Sequence, residues 1–498
     1  MKERKLLFLS LLLFLFFIFS PISASDNADT PQLEPHLKKA LRSFDSLLPY
    51  ELVKIMASPE MAGRLTGHEG YTRAARWAAA KFKEWGLKPF DLRLGYLQPY
   101  PSPYTIIDEA RMTIHLASGA GASSQKEFKE IELSPGTDFL PLLFSSSGQK
   151  TAELVFVGWG ISAPELNYDD YAGVDVKGKF VLCFRGTPDP ARREFQFHDE
   201  HRTRMKVARE KGALGLIYIY PEVLANPNGD WLADFLPAMI SEKTADLIFK
   251  EINSSSAEIK KALETYKRPI SFPLKSRLSY SVSSRHFPEG VGYNVIGWVE
   301  GSDPRLKKEV IIVGAHFDHC GQHLGLLFPG ANDNASGSAV VMTVAKTFAA
   351  TTPRPKRSVM FVLFGGEEMG LQGSTYLSQH LPSGFEKVVA MFNYDMTGEG
   401  DGASCGLSAE PPELKQALER ANREINIIRG MRTIREVGVR SSDFAPFFRL
   451  GIPVVSFSSN GPHLAYHQTG DTIYRINPEI MASLAQVSFL AIYLLADR

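Results

Sequence analysis

Residues 309–319 read EVIIVGAHFDH, a strand pattern that runs directly into a group of polar side chains. The apolar, β-branched first half predicts a strand that is buried on both faces of a sheet. His316 follows at once, so we expect its imidazole at the carboxyl end of that strand. Asp318 points to the same side of an extended chain and could hold the second ring nitrogen of His316. His319 points the other way, and we expect it to line the site rather than to bind in it.

Strands and helices alternate through the region around this stretch. The apolar pattern predicts strands at 293–300, 309–315, 358–364, 388–393 and 452–458, and helices near 335–348, 375–379 and 412–425. This alternation predicts an α/β fold whose mixed, mostly parallel sheet is flanked by helices. In such sheets the functional groups collect in the crevice at the carboxyl ends of the strands.

Four more short strings carry candidate ligands at such positions. They read ANDNAS (331–336), GGEEMG (365–370), FNYDM (392–396) and AYHQTGDT (465–472). Together with AHFDH they offer two histidine ligands, three carboxylate ligands and one spare glutamate. That set is typical of a site that holds two divalent cations and a general base.

Asp333 lies in a Gly-Ala-Asn-Asp-Asn turn just before a predicted helix of small residues. Two cations about 3.5–4 Å apart repel each other, and a shared carboxylate lets them sit that close. We therefore assign Asp333 as the bridging ligand. The alternative is that Asn332, Asp333 and Asn334 only cap the helix, which such residues do well.

Glu367 and Glu368 follow the predicted strand SVMFVLF. Adjacent carboxylates at a strand end are costly unless a cation or a proton neutralises them. We expect one of them to bind metal and the other to accept a proton from a metal-held water. Asp395 closes the next strand with another carboxylate, and His467 follows the last predicted strand and a Gly-Pro loop.

The donor set predicts two Zn²⁺ ions per chain. Their four positive charges would meet three ligand carboxylates and one bridging hydroxide, so the cluster would be formally neutral. Histidine together with carboxylate suits zinc better than magnesium or calcium, which prefer oxygen alone. Cobalt and manganese are the alternatives that the same donors accept.

Composition limits the other classes of function. The 498 residues exceed the roughly 100–200 usual for one domain, so two units are expected. The charges balance at 55 against 55, which gives no indication of a nucleic-acid partner. Three cysteines form no disulfide framework. Cys183 fits a buried strand, and at most Cys320 and Cys405 could pair.

The N-terminus has the pattern of a secretory signal peptide. A basic start, an apolar run from Leu6 to Phe19 and small residues at 20–25 predict a leader at 1–24, with cleavage after Ala24 or Ser25. The alternative is a retained anchor, but a spanning helix requires about 20 apolar residues. We expect an exported protein, periplasmic or extracellular, with no stable membrane anchor after cleavage.

Residues 134–275 are predicted to consist mainly of β-strands, which distinguishes them from the α/β region. The sequence VFVGWGISAPELNYDDYAGVDVKGKFVLCFRG, followed by a helix and GALGLIYIY, resembles the protease-associated (PA) domain inserted in several exopeptidases. That resemblance implies a unit that covers or shapes an active site without supplying catalytic groups. His198 and His201 have no further ligands nearby in sequence, so we interpret them as part of a solvated polar loop.

The region from about 290 to 475 resembles the catalytic domain of the M28 family of co-catalytic zinc peptidases, and MAGRLTGHEGYTRAARWAAAKFKEWGLKP (61–89) resembles that family's lead-in. Besides the signal peptide that its own pattern predicts at 1–24, the two resemblances imply an N-terminal segment at 25–133 packing with the catalytic domain, a PA domain at 134–275 and a catalytic domain of the zinc exopeptidase fold at 276–498.

The M28 resemblance also implies a role for each site residue. The first zinc would be held by His316 and Asp395, the second by Glu368 and His467, and both by Asp333. Glu367 would be the general base, and Tyr466 matches a tyrosine that can donate to a developing oxyanion. The segment 439–444 departs from the commoner Arg-Ser-Asp-His, so no substrate-binding role is carried over to Arg440 or Asp443.

These features predict an aminopeptidase that hydrolyses the N-terminal bond of peptide substrates. A carboxypeptidase or dipeptidase of the same fold would need a cationic pocket for the substrate carboxylate. An aminoacyl cyclotransferase would use one zinc. A catalytically inactive binding ectodomain on this fold would lack ligands, and the sequence has all of them. Oligomeric state is not determined by the sequence.

Overall fold

The computed structural model describes residues 32–117, 128–438 and 442–498. The predicted signal peptide, most of the loop at 117–125 and Arg440 lie outside the described residues.

Two large sheets, two short two-stranded sheets and their helices form the regular structure of the described residues. The strands are β1 (Lys88–Pro89), β2 (Leu97–Pro101), β3 (Tyr104–Ala117), β4 (Phe128–Leu133), β5 (Phe139–Pro141), β6 (Gly148–Val157), β7 (Ser162–Ala163), β8 (Tyr168–Asp169), β9 (Phe180–Phe184), β10 (Gly215–Tyr220), β11 (Ala238–Ser241), β12 (Ser271–Phe287), β13 (Val291–Val299), β14 (Glu309–His316), β15 (Gln322–His323), β16 (Leu326–Leu327), β17 (Ser358–Phe364), β18 (Lys387–Tyr394), β19 (Ala403–Leu407), β20 (Ile428–Thr433) and β21 (Val454–Ser459). The helices are α1 (Pro35–Arg42), α2 (Leu48–Met56), α3 (Glu69–Glu84), α4 (His201–Glu210), α5 (Glu242–Phe249), α6 (Ser256–Tyr266), α7 (Gly337–Ala350), α8 (Gln372–Gln379), α9 (Pro412–Ile425), α10 (Ile434–Val437), α11 (Phe444–Arg449) and α12 (Pro478–Ala496).

The first sheet has nine strands in the order β1-β13-β17-β14-β18-β21-β19-β20, with β2 also paired to β13. Its four central strands, β17, β14, β18 and β21, are all parallel, and antiparallel pairs flank them. Because β14 and β17 are buried along most of their length, their sequences read as unbroken apolar runs. The predicted α/β fold with a mixed sheet is confirmed.

The helices cover both faces of this sheet and bury their apolar sides there. In α3 the buried residues Tyr71, Ala75, Ala78 and Phe82 recur at helical spacing. α12 is long and apolar enough to cross a membrane, the one such helix among the described ranges. Most of its residues are buried in this fold, where it packs against α7 and α9. It is therefore a core helix of the first sheet.

Most of the predicted elements of the first sheet recur with small shifts at their ends. α9 and β17 have the predicted bounds. α7 begins at Gly337 instead of 335, because Asp333 and Asn334 have non-helical backbone angles and the turn Ala331–Ser336 precedes the helix. α8 begins at Gln372, three residues before the prediction.

The second sheet has eight strands in the order β4-β3-β12-β6-β9-β10-β11-β5. β3 and β4 belong to it although they precede residue 134, and β12 runs across the predicted boundary at 275. We refer to residues 104–287 as the second-sheet unit. Its core contains Cys183, and it also receives Cys320 and Phe328 from the loop after β14.

His201 does not lie in a solvated loop: it begins α4, is half-buried, and its Nε2 lies 2.9 Å from Asn226 Nδ2. Burial lowers the pKa of His201 well below its usual value. All three cysteines are buried and free, so Cys320 and Cys405 do not pair in this structure.

Candidate metal centre

The carboxyl ends of the four central parallel strands bring the predicted ligands together. His316 ends β14, Glu367 and Glu368 follow β17, Asp395 follows β18, and His467 lies in the loop after β21. Neighbouring parallel strands end at one edge of the sheet, so residues up to 151 positions apart in sequence become neighbours.

One group of donor atoms consists of His316, Asp333 and Asp395, whose ligand atoms all lie within 4.8 Å of one another. His316 Nε2 is 3.5 Å from Asp333 Oδ1 and 3.4 Å from Asp395 Oδ1. His316 and Asp333 are buried, while the Asp395 side chain is 20% exposed. Asp395 therefore forms the part of this group nearest to solvent.

A second group forms on the other side of Asp333. His467 Nε2 is 2.9 Å from Glu368 Oε2 and 3.3 Å from Asp333 Oδ2. Asp333 thus presents Oδ1 to His316 and Oδ2 to His467. A carboxylate with one oxygen directed to each group has the geometry required of a ligand shared by two cations.

Asp471 fixes the backbone that carries Asp333. Its carboxylate accepts the N–H of Asn332 at 2.8 Å and the N–H of Asp333 at 2.9 Å. The peptide bond between Asp333 and Asn334 is cis. The string AYHQTGDT therefore contributes both His467 and the group that holds Asp333, a second role that its sequence did not indicate.

Asp318 contacts His316 differently from the prediction. His316 Nδ1 lies 3.2 Å from the backbone carbonyl of Asp318 and 3.8 Å from its carboxylate. A carbonyl oxygen only accepts hydrogen bonds, so Nδ1 carries the hydrogen and Nε2 faces the carboxylates. The Asp318 carboxylate instead accepts the hydroxyl of Thr66 at 3.1 Å and the backbone N–H of Glu367 at 3.3 Å.

Glu367 lies beside both donor groups. Its carboxylate is within 4.8 Å of donor atoms of His316 and Glu368. Burial, followed by the charges of Glu368, Asp443 and Asp395, raises the pKa of Glu367 well above its usual value, although His316 opposes the shift. A nearby divalent cation would also oppose it, because positive charge favours the ionised carboxylate.

The residues present fit a pair of divalent cations. Burial alone would lower the pKa of His467, but neighbouring negative groups raise it well above its usual value, and the same holds for His316. Protons would therefore balance this acidic cluster if cations did not. His467 Nε2 is buried close to two carboxylates, yet it has no partner in hydrogen-bond geometry among the described residues. Such a nitrogen is suited to bind a cation.

His319 and Cys320 lie closer to this centre than the sequence suggested. His319 Nδ1 is 2.9 Å from Glu368 Oε1, so His319 holds the oxygen of Glu368 that faces away from His467. Cys320 joins His319, Glu368 and His467 in a group whose donor atoms lie within 4.8 Å of one another. Burial raises the pKa of the Cys320 thiol to about 12. The adjacency of both residues to AHFD was the only signal in the sequence.

Tyr466 and Asp443 both border the centre, but they differ in how deeply they are buried. Tyr466 is 47% exposed, and its ring stacks on the His467 imidazole at a centroid distance of 3.9 Å. Asp443 is fully buried, and burial raises its pKa to about 7. The charge of Asp443 contributes to the raised pKa of Glu367. The departure from the family pattern at 439–444 had left Asp443 without a predicted role.

The sheet topology and the acidic, histidine-containing cluster at its carboxyl edge define an α/β protein with a candidate metal centre. Residues 294–492 match the model of Peptidase family M28, a range that includes every candidate ligand of this centre.

Three relatives illustrate the extent of the similarity. An aminopeptidase of Pseudomonas aeruginosa is 36% identical over 171 residues, which are 32% of this chain and 30% of that protein. A probable glutamate carboxypeptidase of Arthroderma benhamiae is 24% identical over 80% of this chain and 63% of its own length. A solved zinc aminopeptidase from Bacillus subtilis has a TM-score of 0.60 at 19% identity, covering 91% of this chain and 96% of the other. The chain thus spans less than a third of the Pseudomonas relative, and the structural likeness establishes the fold.

Proposed function

We propose that this protein is an exported zinc aminopeptidase that hydrolyses the N-terminal bond of peptides. The observation that carries the proposal is the position of Glu367. It lies beside both donor groups, while Asp333, Glu368 and Asp395 already provide three carboxylate ligands. A carboxylate next to a filled ligand set is available for proton transfer.

Five residues would hold two zinc ions in this proposal. His316 and Asp395 would bind one, Glu368 and His467 the other, and Asp333 both. When bound, such ions lower the pKa of a water molecule and polarise the scissile carbonyl. The Bacillus subtilis protein with a similar fold is a zinc aminopeptidase, which supports the choice of metal. The mixture of imidazole and carboxylate donors supports it independently.

Glu367 would take the proton of the attacking water and deliver it to the leaving amine. Asp318 supports this role because its carboxylate accepts the Glu367 backbone N–H and also the Thr66 hydroxyl. Asp318 therefore couples the orientation of Glu367 to that of His316, whose Nδ1 meets the Asp318 carbonyl. Tyr466 would donate its hydroxyl hydrogen to the developing oxyanion at the exposed side of the site.

The acidic character of the site favours a substrate with a free α-amino group. Glu367 and Asp443 are not among the three ligand carboxylates that the two cations would neutralise, and when ionised they add negative charge near His316. An ammonium group is attracted there, whereas a blocked N-terminus gains nothing from it. The aminopeptidase from Pseudomonas aeruginosa supports this choice among M28 activities.

Replacing Glu367 with Gln tests the proposal directly. We expect hydrolysis of aminoacyl p-nitroanilides to fall by about 10³-fold or more, because the proton acceptor is lost, while zinc content stays near the wild-type value. Glu386→Gln is a matched control, since Glu386 is an exposed partner of Lys308 far from the ligands. An active Glu367→Gln enzyme would exclude Glu367 as the base.

A carboxypeptidase or dipeptidase is the second candidate. The similarity to a probable glutamate carboxypeptidase over 80% of the chain favours it. Arg202 supplies a cation near the site, because its guanidinium donates to the backbone carbonyl of Met369 at 3.0 Å. It is also paired with Asp230 at 2.7 Å, which offsets its charge. An N-blocked dipeptide would be cleaved by a carboxypeptidase and resisted by an aminopeptidase.

Metal counting separates the remaining alternative. An aminoacyl cyclotransferase would hold one zinc, whereas the proposed peptidase holds two. The leader at 1–24 supports export, and the second-sheet unit supports the proposed PA domain by its position beside the metal centre. Elemental analysis of the purified chain, together with the N-terminal sequence of the exported form, tests both points.

A further inference from the structure

His467 has an unusual backbone conformation for a proposed metal ligand. Its φ is +54°, in the left-handed region that residues with a Cβ rarely adopt. Such a conformation persists only where the surroundings hold it. The groups that hold His467 therefore bear on the geometry of the metal centre.

Two hydrogen bonds connect His467 to a single residue, Ala225. Its Nδ1 lies 2.9 Å from the backbone carbonyl of Ala225, and its own carbonyl accepts the Ala225 N–H at 2.9 Å. Since a carbonyl only accepts, Nδ1 must carry the hydrogen. The lone pair of the neutral imidazole is then on Nε2, which faces Glu368 and Asp333.

Ala225 belongs to the second-sheet unit, not to the sheet that carries the ligands. It lies in the loop between β10 and β11 and is 1% exposed. The next residue, Asn226, accepts the Leu143 N–H at its backbone oxygen and contacts His201 through its side chain. The Asn226 side-chain oxygen also accepts the N–H of Asn228 at 2.8 Å. The loop is thus anchored inside its own unit.

The two histidine ligands differ in the origin of their partners. His316 is oriented by the carbonyl of Asp318, two residues away in the same loop. His467 is oriented by a carbonyl 242 residues away, in the second-sheet unit. Loss of the second contact should therefore affect one half of the centre and spare the other.

We propose that Ala225 is a positioning residue for His467, so that the second-sheet unit holds one half of the metal centre through its main chain. This inference rests on the proposed function, because it concerns the cation bound by Glu368 and His467. Removing the partner of a metal-binding histidine typically lowers metal affinity by about 10- to 100-fold. We expect that loss for one of the two cations.

Two variants of the full-length protein test the inference. Ala225→Pro removes the N–H that binds the His467 carbonyl, and Asn226→Ala releases the loop from His201 without altering Ala225 itself. The control is Gln468→Ala, which breaks the exposed contact to Glu222 across the same boundary. Zinc content is measured after dialysis against graded concentrations of a chelator, with circular dichroism as the check of folding.

We expect wild type and Gln468→Ala to release two zinc ions in the same concentration range. Ala225→Pro and Asn226→Ala should release one ion at about 10- to 100-fold lower chelator concentration and the other as in wild type. Their kcat should fall more than their KM changes at limiting zinc and recover with added zinc. If Ala225→Pro does not fold, Asn226→Ala decides the question alone.

Folded variants that release both ions as wild type does would overturn the inference. An equal loss of affinity for both ions would also overturn the inference, because that result would indicate general destabilisation. A wild-type protein that binds fewer than two zinc ions would instead refute the proposed function on which the inference depends. The wild-type measurement therefore distinguishes the two failures.

Discussion

The carboxylate of Asp471 accepts the backbone N–H of Asp333 at 2.9 Å, and that of Asn332 at 2.8 Å. Both residues of the pair are buried, and 138 positions separate them in sequence. Asp333 offers one oxygen to each donor group, so its backbone position affects both groups at once.

We predict that Asp471→Ala lowers the affinity of the protein for both zinc ions together. Two buried N–H groups would lose their partner, which costs about 1–3 kcal/mol for each unsatisfied group. Urea unfolding of the chelated protein measures this loss, and zinc content measures the effect on the site. Asp471→Asn should be milder, since its side-chain oxygen still accepts. Loss of only one ion in Asp471→Ala would contradict the shared role of Asp333.

Arg64 connects the lead-in segment to two ligand loops. It is fully buried, and its guanidinium donates to the carbonyls of Phe317 at 2.7 Å and of Pro329 and Gly330 at 2.8 Å. Burial lowers the pKa of Arg64 to about 10, so the guanidinium stays charged near neutral pH. Its positive charge there partly balances the negative charges of the acidic centre.

We predict that Arg64→Met lowers the free energy of unfolding by about 3 kcal/mol or more, because several buried carbonyls lose a charged donor. Denaturant unfolding checks the value. Arg76→Met is the control, since Arg76 is exposed on α3 and should change stability by no more than about 0.5 kcal/mol. Equal effects of the two substitutions would exclude a structural role for the buried guanidinium.

His68 and His323 predict how stability depends on pH. Their rings lie 5.8 Å apart, and burial lowers the pKa of His68 to about 4 and that of His323 to about 3. An unfolded histidine titrates near 6.5. The unfolded chain therefore binds more protons below that value, so stability is full above about pH 6.5 and decreases as the pH falls toward 4.

At pH 5 each of these histidines should cost about 2 kcal/mol of stability relative to pH 7 or above. Urea unfolding between pH 5 and 7, on chelated protein so that metal release does not contribute, measures the slope. The His68→Gln and His323→Gln variants should each show a shallower slope than wild type. Slopes identical to that of wild type would show that neither histidine is held neutral.

Metal removal should destabilise the fold as well as abolish turnover. Glu367 and Glu368 share a buried site with Asp333, and without cations their repulsion must be relieved by protons. We predict a lower Tm in chelator and recovery on addition of zinc, because a ligand that binds only the folded state stabilises it. Calorimetry with and without chelator checks this. His316→Ala should show a smaller chelator effect, since it already lacks one ligand.

The sequence by itself determined most elements of the first sheet and a set of candidate donors. Apolar runs specified β14, β17 and most of β18, because strands buried on both faces read as near-continuous apolar runs, and a shorter apolar run specified β21. The polar residues directly after those strands then fell at one edge of the sheet. His316, Glu368 and Asp395 were predictable as candidate ligands because each lies close to the end of its strand, whereas Asp333 and His467 lie in longer connections.

Only the tertiary structure decided what surrounds those ligands. Ala225, Arg64 and Asp471 act through contacts across 138 to 266 positions, and the first acts through backbone atoms that every residue possesses. The carbonyl of Asp318 lies closer to His316 than its carboxylate does. Alternation along a strand predicts the side on which a residue lies, but it does not predict which of its oxygens is closer. Side-chain patterns report periodic burial along the chain, whereas such pairings depend on how separate segments of the chain pack together.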